Sequence, residues 1–186
     1  APKTTVSVDG DSFLINGVPT HQGRLFRGHS IEGLMMNSRM ANAMFDDENK
    51  FTKHLWAYEK DDRKRADRNT DELIEMLPTY QSKGLDCVDI NLQGSSPIGY
   101  YRSDEKGIAD LMQRIHAVRP KATKDQIWAG VPSTESEPWI SGAFTASGDL
   151  KSAFMDRTSR IIEAADELGI VICLGYFYFG QDERLR

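Results

Sequence analysis

The stretch KGLDCVDINLQG, residues 83–94, decides how the chain is read, because a near copy of its pattern returns at LGIVICLGYFYFGQD, residues 168–182. In both, a glycine follows an amphipathic helical pattern, a short apolar run comes next, and the run ends in polar residues. Apolar runs of strand length that alternate with helical patterns predict a parallel sheet covered by helices, with right-handed crossovers.

The helices on either side fit that frame. Before the first stretch, Asn69 and Glu72 have capping-box spacing, and Leu73, Ile74, Leu77 and Tyr80 form an apolar stripe. Pro78 should bend this helix and Gly84 should stop it. Before the second stretch, Lys151 to Leu168 places Phe154, Ile161, Ile162, Ala165 and Leu168 on one side, and Gly169 ends the run. The piece from Ile31 to Phe45 is ambiguous: its methionines suit a helix face, while IEGLMM also suits a short buried strand. At the start, Thr4 to Thr20 reads as an exposed β-hairpin, with turn signals at Asp9-Gly10-Asp11 and Asn16-Gly17. Between the two strand stretches, an inserted helix over Asp104 to Val118 and an aperiodic rim loop over Lys121 to Leu150 occupy about residues 101–150.

The totals narrow the chemistry. A chain of 186 residues can bury one real core, and a net charge of −5 gives no electrostatic case for nucleic acid or an anionic membrane. No apolar run approaches the roughly 20 residues needed to cross a bilayer. The start at Ala1-Pro2-Lys3 rather than Met suggests a removed signal peptide, hence a secreted or periplasmic protein. Cys87 and Cys173 lie in apolar runs and read as buried free thiols. The four histidines show no metal spacing, no phosphate-binding glycine loop follows a strand, and no nucleophile elbow is present, so neither metal nor cofactor is expected.

Ligands of parallel α/β folds gather at the C-terminal ends of strands. Three polar clusters stand at such ends: Asn37-Ser38-Arg39, Asn91-Leu92-Gln93-Gly94, and Tyr176 to Asp182. Amides that donate and accept, beside tyrosine faces, are the groups that hold sugar hydroxyls and rings. The candidate substrate-binding residues are therefore Asn37, Arg39, Asn91, Gln93, Tyr176, Tyr178 and Gln181, with Trp139 of the rim loop as a stacking lid. Asn91 and Gln93 also suit loop caps, Arg39 an ion pair with Glu32 or Asp46, and Trp139 a plug under the loop. The adjacent Asp182 and Glu183 cannot form the opposed carboxyl pair of glycoside hydrolysis, although Asp182 as the base of a different α/β enzyme is a further reading.

Several segments resemble a known family. FLINGVPTHQGR is similar to the F-x-I-N-G-x-P hairpin that precedes many clan A glycoside hydrolase barrels. IEGLMMNSRMANAMFDDEN, RNTDELIEMLPTYQSKGLDCVDINLQGSSPIGY and IIEAADELGIVICLGYFYFGQDERL together resemble bacterial cellulase-like (β/α)8 proteins. The resemblance implies an N-terminal β-hairpin over residues 1–24, then over 25–186 the first three βα units of a TIM (β/α)8 barrel, incomplete in this chain. Its strands would be IEGLMMN, DCVDINL and VICLGYFYF. It further implies hydrolysis of O-glycosidic bonds in a β-linked poly- or oligosaccharide, with both catalytic glutamates beyond residue 186 and none in this chain. The chain departs from the family in having no Asn-Glu pair, and in placing Asn91 and Gln93 where an arginine is common. The expected partners are the carbohydrate and whatever covers the open sheet edge, either the rest of a barrel or another chain. The second reading is a non-catalytic carbohydrate-binding or scaffold protein.

Overall fold

The computed structural model describes residues 1–40, 43–44, 46, 58, 65–92, 142–145 and 147–176, together with 109, 112–113, 116–117, 120–121 and 123. The chain opens with antiparallel structure. Strands β1 (Val6–Asp9), β2 (Ser12–Ile15) and β3 (Val18–Pro19) form one sheet in the order β1-β2-β3. At its second turn Asn16 and Gly17 both take positive φ, 54° and 78°, as a two-residue hairpin with the strand twist requires. A second hairpin, β4 (Leu25–Phe26) with β5 (His29–Ser30), follows. Its turn has Arg27 at φ 50° before Gly28 at 82°. A long side chain in that conformation is uncommon, so the sequence carries no turn signal there and the reading shows one hairpin where two sheets exist.

The parallel part contains β6 (Asn37–Arg39), α1 (Arg65–Ser82), β7 (Cys87–Asn91), α2 (Ser152–Leu168) and β8 (Val171–Gly175). The sheet order is β6-β7-β8 with both pairings parallel. Val88 and Ile90 of β7 share one core with Leu73 and Leu77 of α1 and with Phe154, Ile161 and Ala165 of α2. Both helices therefore cover the same face of the sheet. Each ends in the same way: Gly84 N–H donates to Gln81 O while Leu85 N–H donates to Tyr80 O, and Gly169 and Ile170 repeat this toward Asp166 and Ala165. That is a Schellman stop, which needs a left-handed residue, and the glycines supply φ of 91° and 72°.

Three expectations are corrected. An N-terminal hairpin followed by the first three βα units of a (β/α)8 barrel is not what the chain forms. Small antiparallel sheets precede an open parallel sheet of three strands, and only two helices are described from end to end, each in a crossover between strands. Helical positions Ala109, Met112, Gln113, His116 and Ala117 fall within the β7–β8 connection and add no third unit. Next, α1 starts at Arg65, so Asn69 and Glu72 lie inside it rather than capping it. There Glu72 accepts from Arg68 Nε at 3.2 Å and Tyr58 Oη at 2.9 Å. Finally, among its described residues the ambiguous Ile31–Phe45 piece yields a strand only at Asn37–Arg39. Most of residues 93–141 lies outside the described residues; of the expected rim loop over Lys121 to Leu150, mainly the last part, 142–145 and 147–150, is described, and it carries a bridge between Phe144 and Leu150.

The two parts meet through polar contacts. His21 Nε2 lies 2.7 Å from Asp86 Oδ2, with side chains only 6% and 14% exposed, and Met36 N–H donates to the same carboxylate oxygen at 2.8 Å. At the far side, the backbone N–H groups of Lys3 and Thr4 donate to the Asp166 carboxylate at the end of α2.

Candidate functional site

Strand alternation divides β7 cleanly. Val88, Ile90 and the following Leu92 enter the core under the helices, so Cys87, Asp89 and Asn91 face the opposite side. The pairings extend that side across the sheet. Asn37 pairs with Cys87 and Arg39 with Asp89 on β6; Val171, Cys173 and Gly175 pair with Cys87, Asp89 and Asn91 on β8. Two amides, a guanidinium, a carboxylate and two thiols thus share the face opposite α1 and α2, with Asn37, Arg39 and Cys173 exposed, Asp89 and Asn91 half-buried and Cys87 buried.

Of the residues expected to bind substrate, Asn37, Arg39 and Asn91 are brought to this face, and Tyr176, 57% exposed, directly follows β8. Asn37 and Arg39 are not a tip beyond a strand, as expected from sequence; they are β6 itself. Asn37 stands level with Cys87, four residues below Asn91, or about 13 Å along the sheet. Gln93, Trp139, Tyr178 and Gln181 lie outside the described residues.

The upper end of β7 is fixed by backbone bonds. Leu92 N–H donates to Gly175 O at 2.8 Å, and Ala143 N–H donates to Leu92 O at 2.6 Å. Lys151 N–H in turn donates to Ala143 O, which seats the start of α2 beside the strand end. A turn over Thr145 to Asp149 is closed by Ser147 Oγ donating to Asp149 Oδ2 and by the Phe144–Leu150 bridge.

Asp89 is the functional candidate that sequence reading passes over. Inside the run CVDIN it looks like an interruption of a strand rather than part of a polar tip, and only the pairing shows that it lies between Arg39 and Cys173. Its charge is felt by both thiols. The Asp89 carboxylate paired level with Cys173, followed by burial, raises that thiol's pKa above the usual 9.0. Cys87 is pushed up to about 11, chiefly by burial and then by Asp89. Both thiols are therefore protonated near neutrality and poor nucleophiles. The buried free thiol expected for Cys87 is found, whereas Cys173 is exposed.

An apolar cavity of about 510 Å³ lies elsewhere, beside the outer edge of β8. Val6, Ile162, Ile170, Val171, Ile172 and Leu174 are among the residues that line it, and Asn37, Arg39, Asp89 and Asn91 are not. Among the described residues no group of three histidine, cysteine or carboxylate side chains is arranged to hold a metal ion, and no helix is long and apolar enough to cross a membrane. Comparison with family models, curated proteins and solved structures gives no match to this chain.

Proposed function

We propose that this chain is part of a glycoside hydrolase-like enzyme and holds a β-linked poly- or oligosaccharide against the face of the β6-β7-β8 sheet opposite α1 and α2. The observation that carries the reading is the gathering of Asn37, Arg39 and Asn91 on that one face. Amides and a guanidinium offer hydrogen bonds in several directions to sugar hydroxyls, and Tyr176 adds an exposed ring at the upper edge. Hydrolysis itself would fall to a pair of glutamates elsewhere in the full protein.

A non-catalytic carbohydrate-binding role is the second reading, and one observation favours it. Of the strand residues on this face, Asp89 is the sole carboxylate. Retaining hydrolysis needs two carboxyl groups about 5 Å apart, and inverting hydrolysis needs two at a wider spacing.

Calorimetric titration with β-linked tetrasaccharides (cellotetraose, laminaritetraose, mannotetraose) tests both. At least one should bind, and Asn91→Ala should weaken that binding about 2- to 12-fold, the worth of one neutral hydrogen bond, with an unchanged melting temperature. No binding of any of them to the intact protein would sink the carbohydrate reading. Release of reducing ends from the bound sugar by the full-length protein would favour the enzyme, and binding without release the scaffold.

A further inference from the structure

Asp89 and Asn91 stand two residues apart on one strand face, so their Cα atoms are about 6.6 Å apart. Each is set by its partner on β8. Asn91 lies so close over Gly175 that a Cβ there would overlap its Oδ1, and would sit 3.2 Å from its Cγ. Glycine therefore gives the carboxamide the room it occupies. Asp89 pairs level with Cys173, and the nearby carboxylate raises that thiol's pKa. A thiol is a weak donor, and an ionised carboxylate has about four acceptor positions, so most of the acceptor capacity of Asp89 is open to a better donor. A sugar hydroxyl is such a donor, and hydrogen bonds to an ionised group are stronger than neutral ones. Arg39 opposite Asp89 on β6 balances the charge of the face, which suits a neutral ligand better than an acidic one.

We infer that Asp89 contacts the ligand directly, accepting hydrogen bonds from adjacent hydroxyls of a neutral sugar ring whose next polar group meets the Asn91 carboxamide, and that Cys173 and Gly175 are positioning residues. This rests on the carbohydrate reading of the face and adds to it a residue and a class of sugar.

Cys173 provides its own reporter, since it is exposed while Cys87 is buried. The rate of N-ethylmaleimide addition to each thiol of the whole protein, read by mass spectrometry at pH 8, should respond to both ligand and mutation. A bound neutral tetrasaccharide should slow addition at Cys173. Asp89→Asn should speed addition in the free protein, because the carboxylate that holds the proton on sulfur is gone. Asp89→Asn should also weaken sugar binding about tenfold or more, as expected for losing bonds to a charged acceptor. Cys173→Ser keeps a small polar group level with Asp89 and should leave binding within about twofold, no more than the smallest loss expected for one hydrogen bond. Cys87 must stay unreactive throughout, which certifies the fold. If Asp89→Asn exposes Cys87, Gly175→Ala decides instead: unchanged sugar binding in that variant overturns the inference.

Equal binding of a neutral tetrasaccharide by wild type and a folded Asp89→Asn overturns the role of Asp89 and leaves the carbohydrate reading standing. Unchanged maleimide reactivity in Asp89→Asn overturns the positioning role of Cys173. Binding confined to uronate oligosaccharides overturns the neutral ligand. Binding of no saccharide by wild type overturns the carbohydrate reading and the inference together.

Discussion

Between Val6 and Ser30 five strands form and none of their residues is buried, Thr20 in the turn after β3 being the single buried residue of the stretch, whereas β7 alone buries Cys87, Val88 and Ile90 within five residues. Val8 and Leu25 of the first region are 63% and 69% exposed. Its order comes from backbone pairing and from turns at positive φ, so little apolar burial stands behind it. The parallel region works the other way: α1, α2 and the inner residues of β7 close one apolar core, and the turns only end helices. Polar atoms join the two regions. Thr20 Oγ1 donates to Leu34 O, His21 meets Asp86, and the first residues hang from Asp166. A seam of that kind ties the antiparallel strands to a core that draws no buried apolar residue from them.

The largest effect should come from the core. Ile161 is fully buried between the helices and the sheet. Ile161→Ala should cost about 2–5 kcal/mol, the range for deleting a large aliphatic side chain in a packed interior. Urea unfolding followed by far-UV circular dichroism measures it, and a loss below about 1 kcal/mol, the range of a well-tolerated core swap, would break the contrast between the regions.

A smaller and local effect is expected at the seam. Asp86→Ala leaves His21 and the Met36 N–H without their shared acceptor, for about 1–3 kcal/mol. Amide hydrogen exchange sharpens the prediction. Protection should fall at Phe13, Thr20 and Met36, which bond across or beside the seam, while helix amides of α1 and α2 keep theirs. Uniform loss of protection in both regions would show that they unfold as one unit.

Legibility in the sequence divides along the same line. The α2 stripe, both glycine stops and the two longer parallel strands are local patterns of period 3.6 or 2, and the structure has them where the pattern puts them, except that Ile162, expected inward, is 41% exposed. The start of α1 is missed because charged Arg65 to Arg68 carry no periodic signal, while Asn69 offers a capping spacing that the helix does not use. The β4–β5 hairpin is missed because Arg27 stands where a turn residue is expected. The barrel reading fails for a different reason. A resemblance of segments, strand by strand, does not fix whether the strands close into a barrel, and the sheet found is open. At the site, Asn37, Arg39 and Asn91 could be chosen by residue type, but their common face depends on pairing between strands about 50 and 80 residues apart. The same pairing brings Asp89 beside Cys173, which no local spacing reveals.

The smallest predicted effect concerns the N-terminal arm and has a definite sign in pH. The Asp166 carboxylate accepts the backbone N–H groups of Lys3 and Thr4, and these bonds hold its pKa below the usual 3.8. A carboxyl whose folded value lies below its unfolded value binds fewer protons when folded. Its contribution to stability is thus complete above about pH 3.8 and is lost as pH falls through the lower folded value. Because the group is exposed, solvent screens it and the arm should loosen without unfolding the core. Nuclear magnetic resonance should show the Lys3 and Thr4 amide shifts titrating together with a midpoint below 3.8, and Asp166→Asn should remove that titration. If Val88 and Ile90 amides titrated with the same midpoint, the arm would be coupled to the core, and the division between the two regions would fail at its weakest contact.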